Sequence, residues 1–334
     1  MAKKIGPQTV KLRTPVAIES TGSVAGTMEG LGPLGSYFDL IVDEDNFGDT
    51  FEKTEIKMHS KAIEIALQKI EAESDSIDLF VGGDLLNQIV AATFAISEYS
   101  RPYWGVYSAC ASFAESLQIA ATTIEAGVAE RCSVSVSSHF SSVERQYRTP
   151  LEQGSQSAIT SQRTVTASGG AIIGQSKGAP TIVSFTTGKI VDFDCCDIAD
   201  MGTAMAPAAA HTIITHFLAT KTSFKDYDLV VTGDLANLGF NVAKDLLASE
   251  GYVDIGNFSD CGKLVFDTDA QNVGQGGSGA GCSASVFCSY IYKLLDSKQL
   301  SRVLFVPTGA LMSPLTSFQD GSIPAIAHAV QIAR

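Results

Sequence analysis

The chain has 334 residues, 45% apolar and 18% charged, with 30 glycines and 10 prolines; this composition excludes long disorder and suits two fused units of about 150 residues each. Basic residues number 23 against 36 acidic ones, a net charge of −13, and a field of that sign repels phosphate backbones and excludes nucleic acid as a partner. No apolar run reaches the roughly 18 residues of a membrane span, and no apolar stretch follows the basic start, so the chain reads as neither membrane-spanning nor secreted.

The first clear helix is HSKAIEIALQKIEAES, in which Ile63, Ala66, Leu67 and Ile70 make one apolar stripe. It leads into DLFVGGDLLN at 78–87, a strand ending in Gly-Asp. RPYWGVYSACASFAESLQIAATTIEAG then breaks at Ser108-Ala109-Cys110 and continues as a helix with Phe113, Leu117, Ala120 and Ile124 on its inner face. AERCSVSVSSH at 129–139 reads as a buried strand, and 141–166 as a long polar loop or short broken elements. TIVSFTTGKIVDFD at 181–194 alternates around Thr-Gly and predicts a hairpin.

APAAAHTIITHFLATK is helical, with Ile213, Ile214 and Phe217 to one side, and it precedes DLVVTGDLAN at 228–237. That segment matches 78–87 at seven of ten positions with an offset of 150, so the chain is read as duplicated, with halves 1–175 and 176–334. LSRVLFVPTG at 300–309 is the counterpart of the strand at 129–139. Helices alternating with apolar strands predict an α/β fold whose ligands sit at the carboxyl ends of the strands. Both Gly-Asp motifs fall at such ends.

Cys110 is placed at a helix start, where unpaired N–H groups and the macrodipole favour a thiolate nucleophile. Seven cysteines without a C-x-x-C and five scattered histidines give no disulfide framework, zinc site or other metal set. The run GQGGSGAG at 274–281 contains G-x-G-x-x-G, but it lies late in the chain without the strand context of a dinucleotide site. No cofactor is called for.

A strand, a cysteine at a helix start and two repeated halves together resemble the thiolase-like condensing enzymes, especially ketoacyl-synthase-III-like members. The resemblance implies a duplicated αβαβα layered fold with pseudo-twofold halves. In those enzymes a histidine of a His-Gln-Ala-Asn stretch and an asparagine of a Gly-Asn stretch support the cysteine. Here Asp234 stands in place of the histidine, in Asp234-Leu235-Ala236-Asn237, and glycine or serine, with Ser278, replaces the asparagine. An ionised Asp234 would oppose a Cys110 thiolate and could not donate to an oxyanion.

The segments GPLGSYFD, GDLLNQ, SACAS, SSHF, ERQYRTP, TVTASG, MGTAMAPAAAHT, GDLAN, DCG, GGSGAGCSA, TGALMSP and IPAIAHAV, in order across nearly the whole chain, are similar to those of the stage V sporulation protein AD family. That resemblance implies a peripheral protein of the spore inner membrane that binds dipicolinic acid, free or chelated with calcium, and works with other stage V sporulation A-series membrane proteins. The superfamily implies a homodimer.

A flat pyridine with two carboxylates wants fixed N–H forks and an apolar slot. Arg145, Gln146 and Arg148 offer charge and hydrogen bonds, and His139 and Ser313 lie at corresponding strand ends. Asp84, Asn87, Asp234, Asn237, Ser278 and Cys110 complete the candidate ligand-binding set, with at least one of Asp84 and Asp234 fixing a helix start. The reading is a non-enzymatic binder with a degenerate catalytic cleft. The alternative is an acyltransferase or condensing enzyme that uses Cys110 as nucleophile and His139 as base.

Overall fold

The computed structural model describes residues 2–147, 158–317 and 319–334. In chain order its main elements are β1 (Thr9–Ala25), α1 (Phe51–Lys69), β2 (Leu79–Gly83), α2 (Val90–Ser97), β3 (Tyr103–Gly105), α3 (Ser112–Glu125), β4 (Cys132–Ser138), α4 (Phe140–Tyr147), β5 (Ala167–Gly174) and β6 (Thr181–Thr186). There follow α5 (Met201–Thr220), β7 (Leu229–Thr232), α6 (Ala236–Ser249), β8 (Phe258–Asp260), α7 (Ala280–Val286), β9 (Arg302–Val306), β10 (Thr308–Ala310), β11 (Ala325–Ala327) and β12 (Ala329–Ala333).

Ten of these strands form one sheet in the order β8-β7-β9-β12-β6-β1-β5-β4-β2-β3, with two short strands added to β1. The order is symmetric about the junction of β1 and β6. On one side β2 runs parallel to β3 and β4, and β5 lies antiparallel to β4 and to β1. On the other, β7 runs parallel to β8 and β9, and β12 lies antiparallel to β9 and to β6. The repeated Gly-Asp motifs end the equivalent strands β2 and β7. Parallel strands must be covered on both faces, which is why β4 and β9 are almost wholly buried.

The helix α1 starts where Thr50 accepts the Lys53 N–H, and it buries Ile63, Ala66 and Leu67 as the stripe predicts. Asp200 caps α5 in the same way through the Thr203 N–H. The α3 helix is buried at ten of its fourteen positions, because it lies in the middle of the molecule. Its Phe113 meets Phe287, 5.8 Å away between ring centroids, and Phe305 of β9, 6.2 Å away. A helix of the first repeat is thus packed into the core of the second.

One sequence expectation is corrected. The stretch 181–194 is not a hairpin: β6 already has β1 and β12 on its two edges, so no edge is left for a returning strand, and the chain leaves the sheet to bridge Val191 with Ala325. The stretch 141–166, read as a long polar loop or short broken elements, opens within the short helix α4, one wall of the site described next.

Candidate functional site

After β3 the chain makes a tight turn before α3. The Ala111 N–H bonds the Ser108 carbonyl at 3.0 Å, and Ser112 Oγ both accepts from the Ser108 N–H and donates to the Ala109 carbonyl. Ala109 takes a φ of 49°, the left-handed conformation that L residues avoid. Gly309 of β10 closes over the turn, where a Cβ would run into the Ser108 carbonyl oxygen. The result holds Cys110 two residues ahead of α3, at the floor of a cleft between the halves.

A second loop brings Asp234 to the same floor. Asp260 at the end of β8 shapes it, since its carboxylate accepts from Thr232 Oγ1 and from the N–H groups of Leu235, Ala236 and Lys263. Asp234 in turn receives Thr308 Oγ1 on Oδ1 at 2.7 Å, and Ser278 Oγ and the Gly279 N–H on Oδ2 at 3.0 and 3.1 Å. The Cys110 thiol lies beside this carboxyl, and each perturbs the other's protonation. Burial pushes the thiol well above its ordinary range, and the neighbouring Asp234 adds to the shift. The same burial raises Asp234 to about 6 against the donors that lower it.

The thiolate expected from a helix start is therefore corrected: desolvation and an adjacent acid outweigh the helix dipole. Gly279, at φ 102°, has no room for a side chain against Ser138 Oγ and Thr164. Its backbone can thus approach both Asp234 and Cys110.

The cleft encloses about 610 Å³ of atom-free space counting its mouth, but the centre of a water molecule fits in only about 50 Å³ of it. It is a narrow slot. Cys110, Ser278 and Gly279 line it with Val143, Glu144 and Tyr147 of α4, Leu85, Tyr107, Ala109 and Thr164, and with Ile198, Met201, Met205, Ala310 and Met312. Tyr147 donates to the Leu85 carbonyl at 2.7 Å, so the 2.8 Å contact between the two phenols has Tyr107 as donor. Both hydroxyl protons are thereby engaged, and these tyrosines offer chiefly ring faces to the slot. No histidine, lysine or arginine is found among the described residues lining it.

Of the candidates read from the sequence, the structure brings Cys110, Asp234 and Ser278 together, with Asp234 directly behind the lining. Asp84, the repeat partner of Asp234, instead accepts the Leu86 and Ala92 N–H groups at 2.7 and 2.8 Å and holds the start of α2. Burial raises it to about 6. Arg145 pairs with Glu52 and lies over the Phe51 ring. With Asn87 and Gln146 it lines a separate shallow groove. Gln146 clasps the Leu85 carbonyl and the Asn87 N–H.

Asn237 reaches Thr268, and Ser313 closes a short turn with Thr316 and Ser317. His139 is buried, stacked on Phe51 and 3.6 Å from Glu44; burial lowers it to about 4, and it does not line the cleft. Arg148 lies outside the described residues. Among the described residues no group of His, Cys, Asp or Glu is disposed to hold a metal ion, and no helix is long and apolar enough to cross a membrane.

The duplicated sheet, the central helix α3 and a cysteine turn between the halves define a thiolase-like fold, and solved structures agree. The chain resembles 3-oxoacyl-[acyl-carrier-protein] synthase III from Aquifex aeolicus at 12% identity, over 96% of this chain and 100% of that one, with a TM-score of 0.60. It resembles cerulenin-bound OleA from Xanthomonas at 12% identity, over 97% and 98% of the two chains, with a TM-score of 0.62.

Within that fold the chain belongs to the stage V sporulation protein AD family, whose model matches residues 6–333. A relative from Bacillus subtilis (strain 168), named stage V sporulation protein AD, is 41% identical over 333 residues, covering 99% of this chain and 98% of that protein.

Proposed function

We propose that the cleft binds dipicolinic acid without chemical conversion, and that the protein serves as the peripheral component of a dipicolinate uptake complex at the spore inner membrane. The observation that carries this reading is the placement of the buried Cys110 thiol beside the Asp234 carboxyl. A condensing enzyme needs a thiolate and a base or donor beside it. Here the neighbouring acid raises the thiol, and the imidazole once considered as base, His139, is turned toward Glu44.

What remains is a slot with two tyrosine rings, three methionine side chains and a polar floor, a shape suited to one flat aromatic acid. Family membership supports the sporulation setting. The resemblance supplies the membrane partners, the calcium chelate as an alternative form of the ligand, and the homodimer, all of which belong to this proposal.

Calorimetric titration with dipicolinate tests it. Saturable one-to-one binding is expected, abolished by Cys110→Phe, which fills the floor, and unaffected by Arg145→Ala, whose side chain lies outside the cleft. Absence of binding by the wild type overturns the reading. Incubation with acyl-CoA followed by intact-mass measurement addresses the rival enzyme, which would gain an acyl group on Cys110.

A further inference from the structure

The geometry points to Asp234 as a proton switch that sets whether the cleft floor presents hydrogen-bond donors or acceptors, so that an anionic ligand binds together with one proton. The inference rests on the proposed binding of a carboxylate ligand in this cleft. Its basis is a count of hydrogens. Asp234 receives Thr308 Oγ1, Ser278 Oγ and the Gly279 N–H. One of these donors, Ser278, lines the cleft beside Cys110.

While the carboxylate is ionised it draws the Ser278 hydroxyl proton inward, and that side chain shows the slot only the lone pairs of its oxygen. A ligand carboxylate meets repulsion there. When Asp234 takes up a proton it becomes a donor to Ser278, which turns its own hydrogen into the slot. The floor then donates to the anion. Asp234 touches no ligand itself and acts as a positioning residue through the Ser278 side chain.

The groups that face Asp234 from the surrounding elements favour uptake of a proton. Cys110 lies ahead of α3, Asp260 at the end of β8, Cys261 after it and Cys282 on α7, and all interact electrostatically with Asp234. None is a cation. Asp260 is fully buried and accepts three backbone N–H groups, and its proximity raises Asp234 further. Burial already raises Asp234 to about 6, close enough to neutrality for a bound anion to complete its protonation.

The test is titration with dipicolinate in buffers of different ionisation enthalpy, across a pH series. The wild type is expected to take up about one proton per ligand above pH 7 and to lose about tenfold in affinity per pH unit there. Asp234→Asn, whose amide donates permanently, should bind with no proton uptake and no pH slope. Should that variant fail to fold, infrared difference spectra of the wild type give an independent readout: the band of a protonated Asp carboxyl, marked by isotope labelling, appears on ligand addition. Wild-type binding without proton uptake, or uptake that persists in Asp234→Asn, overturns the inference. A wild type that does not bind dipicolinate at all overturns instead the functional reading beneath it.

Discussion

Cys110 lies beside Asp234, a residue 124 positions later that occupies the repeated Gly-Asp motif of the other half. The contact joins the turn before the central helix to a loop shaped by Asp260, and it sets the chemical character of the cleft. A thiol so placed is a poor nucleophile. Alkylation by iodoacetamide near neutral pH, followed by peptide mass mapping, should modify exposed Cys196 well before Cys110. Asp234→Asn, which removes the adjacent negative charge, should accelerate the reaction at Cys110. Rapid labelling of Cys110 in the wild type would contradict this placement.

The wall of the slot depends on the pair of phenols. Tyr147→Phe removes the donor to the Leu85 carbonyl and the acceptor for Tyr107, and it should lower stability by about 1 kcal/mol. The same change should weaken dipicolinate binding several-fold, because α4 is then less firmly held to the loop after β2. Urea unfolding and calorimetry check the two effects separately.

Burial makes stability fall as pH rises through neutrality. Glu29 and Glu55 are fully enclosed and raised to about 8, chiefly by desolvation. In the unfolded chain each releases its proton above about pH 4. Between those limits the folded state holds protons that the unfolded state has lost, so rising pH favours unfolding until about pH 8, where the loss is complete. The melting temperature should therefore drop between pH 6.5 and 8. Glu55→Gln, compared with the wild type across that range, should flatten the drop; an unchanged slope would assign the effect elsewhere.

Two glycines separate packing from backbone conformation. Gly309→Ala drives a Cβ into the Ser108 carbonyl oxygen and should cost about 1–3 kcal/mol while disturbing the Cys110 turn. Gly127 has a φ of 72° with no atom near its missing Cβ, so Gly127→Ala should carry only the conformational cost, about 1 kcal/mol, and leave ligand binding intact. Thermal melts with calorimetry on both variants check the contrast.

The duplication was legible because DLFVGGDLLN and DLVVTGDLAN are strand ends under the same constraints, and the sheet places them as equivalents. The floor was partly legible: Cys110, Asp234 and Ser278 stand at motif positions. The walls were not. On α4 the helical turn sends Val143 and Tyr147 into the cleft and Arg145 away from it, and a segment read as a loop or short broken elements gives no face by which to choose. Met201 and Met205, one turn apart on α5, and Met312, over a hundred residues later, carry no local pattern that marks them as cleft walls, while His139 is drawn to Glu44 and Phe51 by packing that no local spacing reveals.

A crystal structure of the protein soaked with dipicolinate bears most directly on the idea of a catalytic fold turned to binding. The predicted density is an intact pyridine ring between the side chains of Tyr147 and the cleft methionines, with one carboxylate against Ser278 and Cys110 and no bond to the sulfur. A ring bound elsewhere with this slot empty, or a covalent adduct on Cys110, would contradict it.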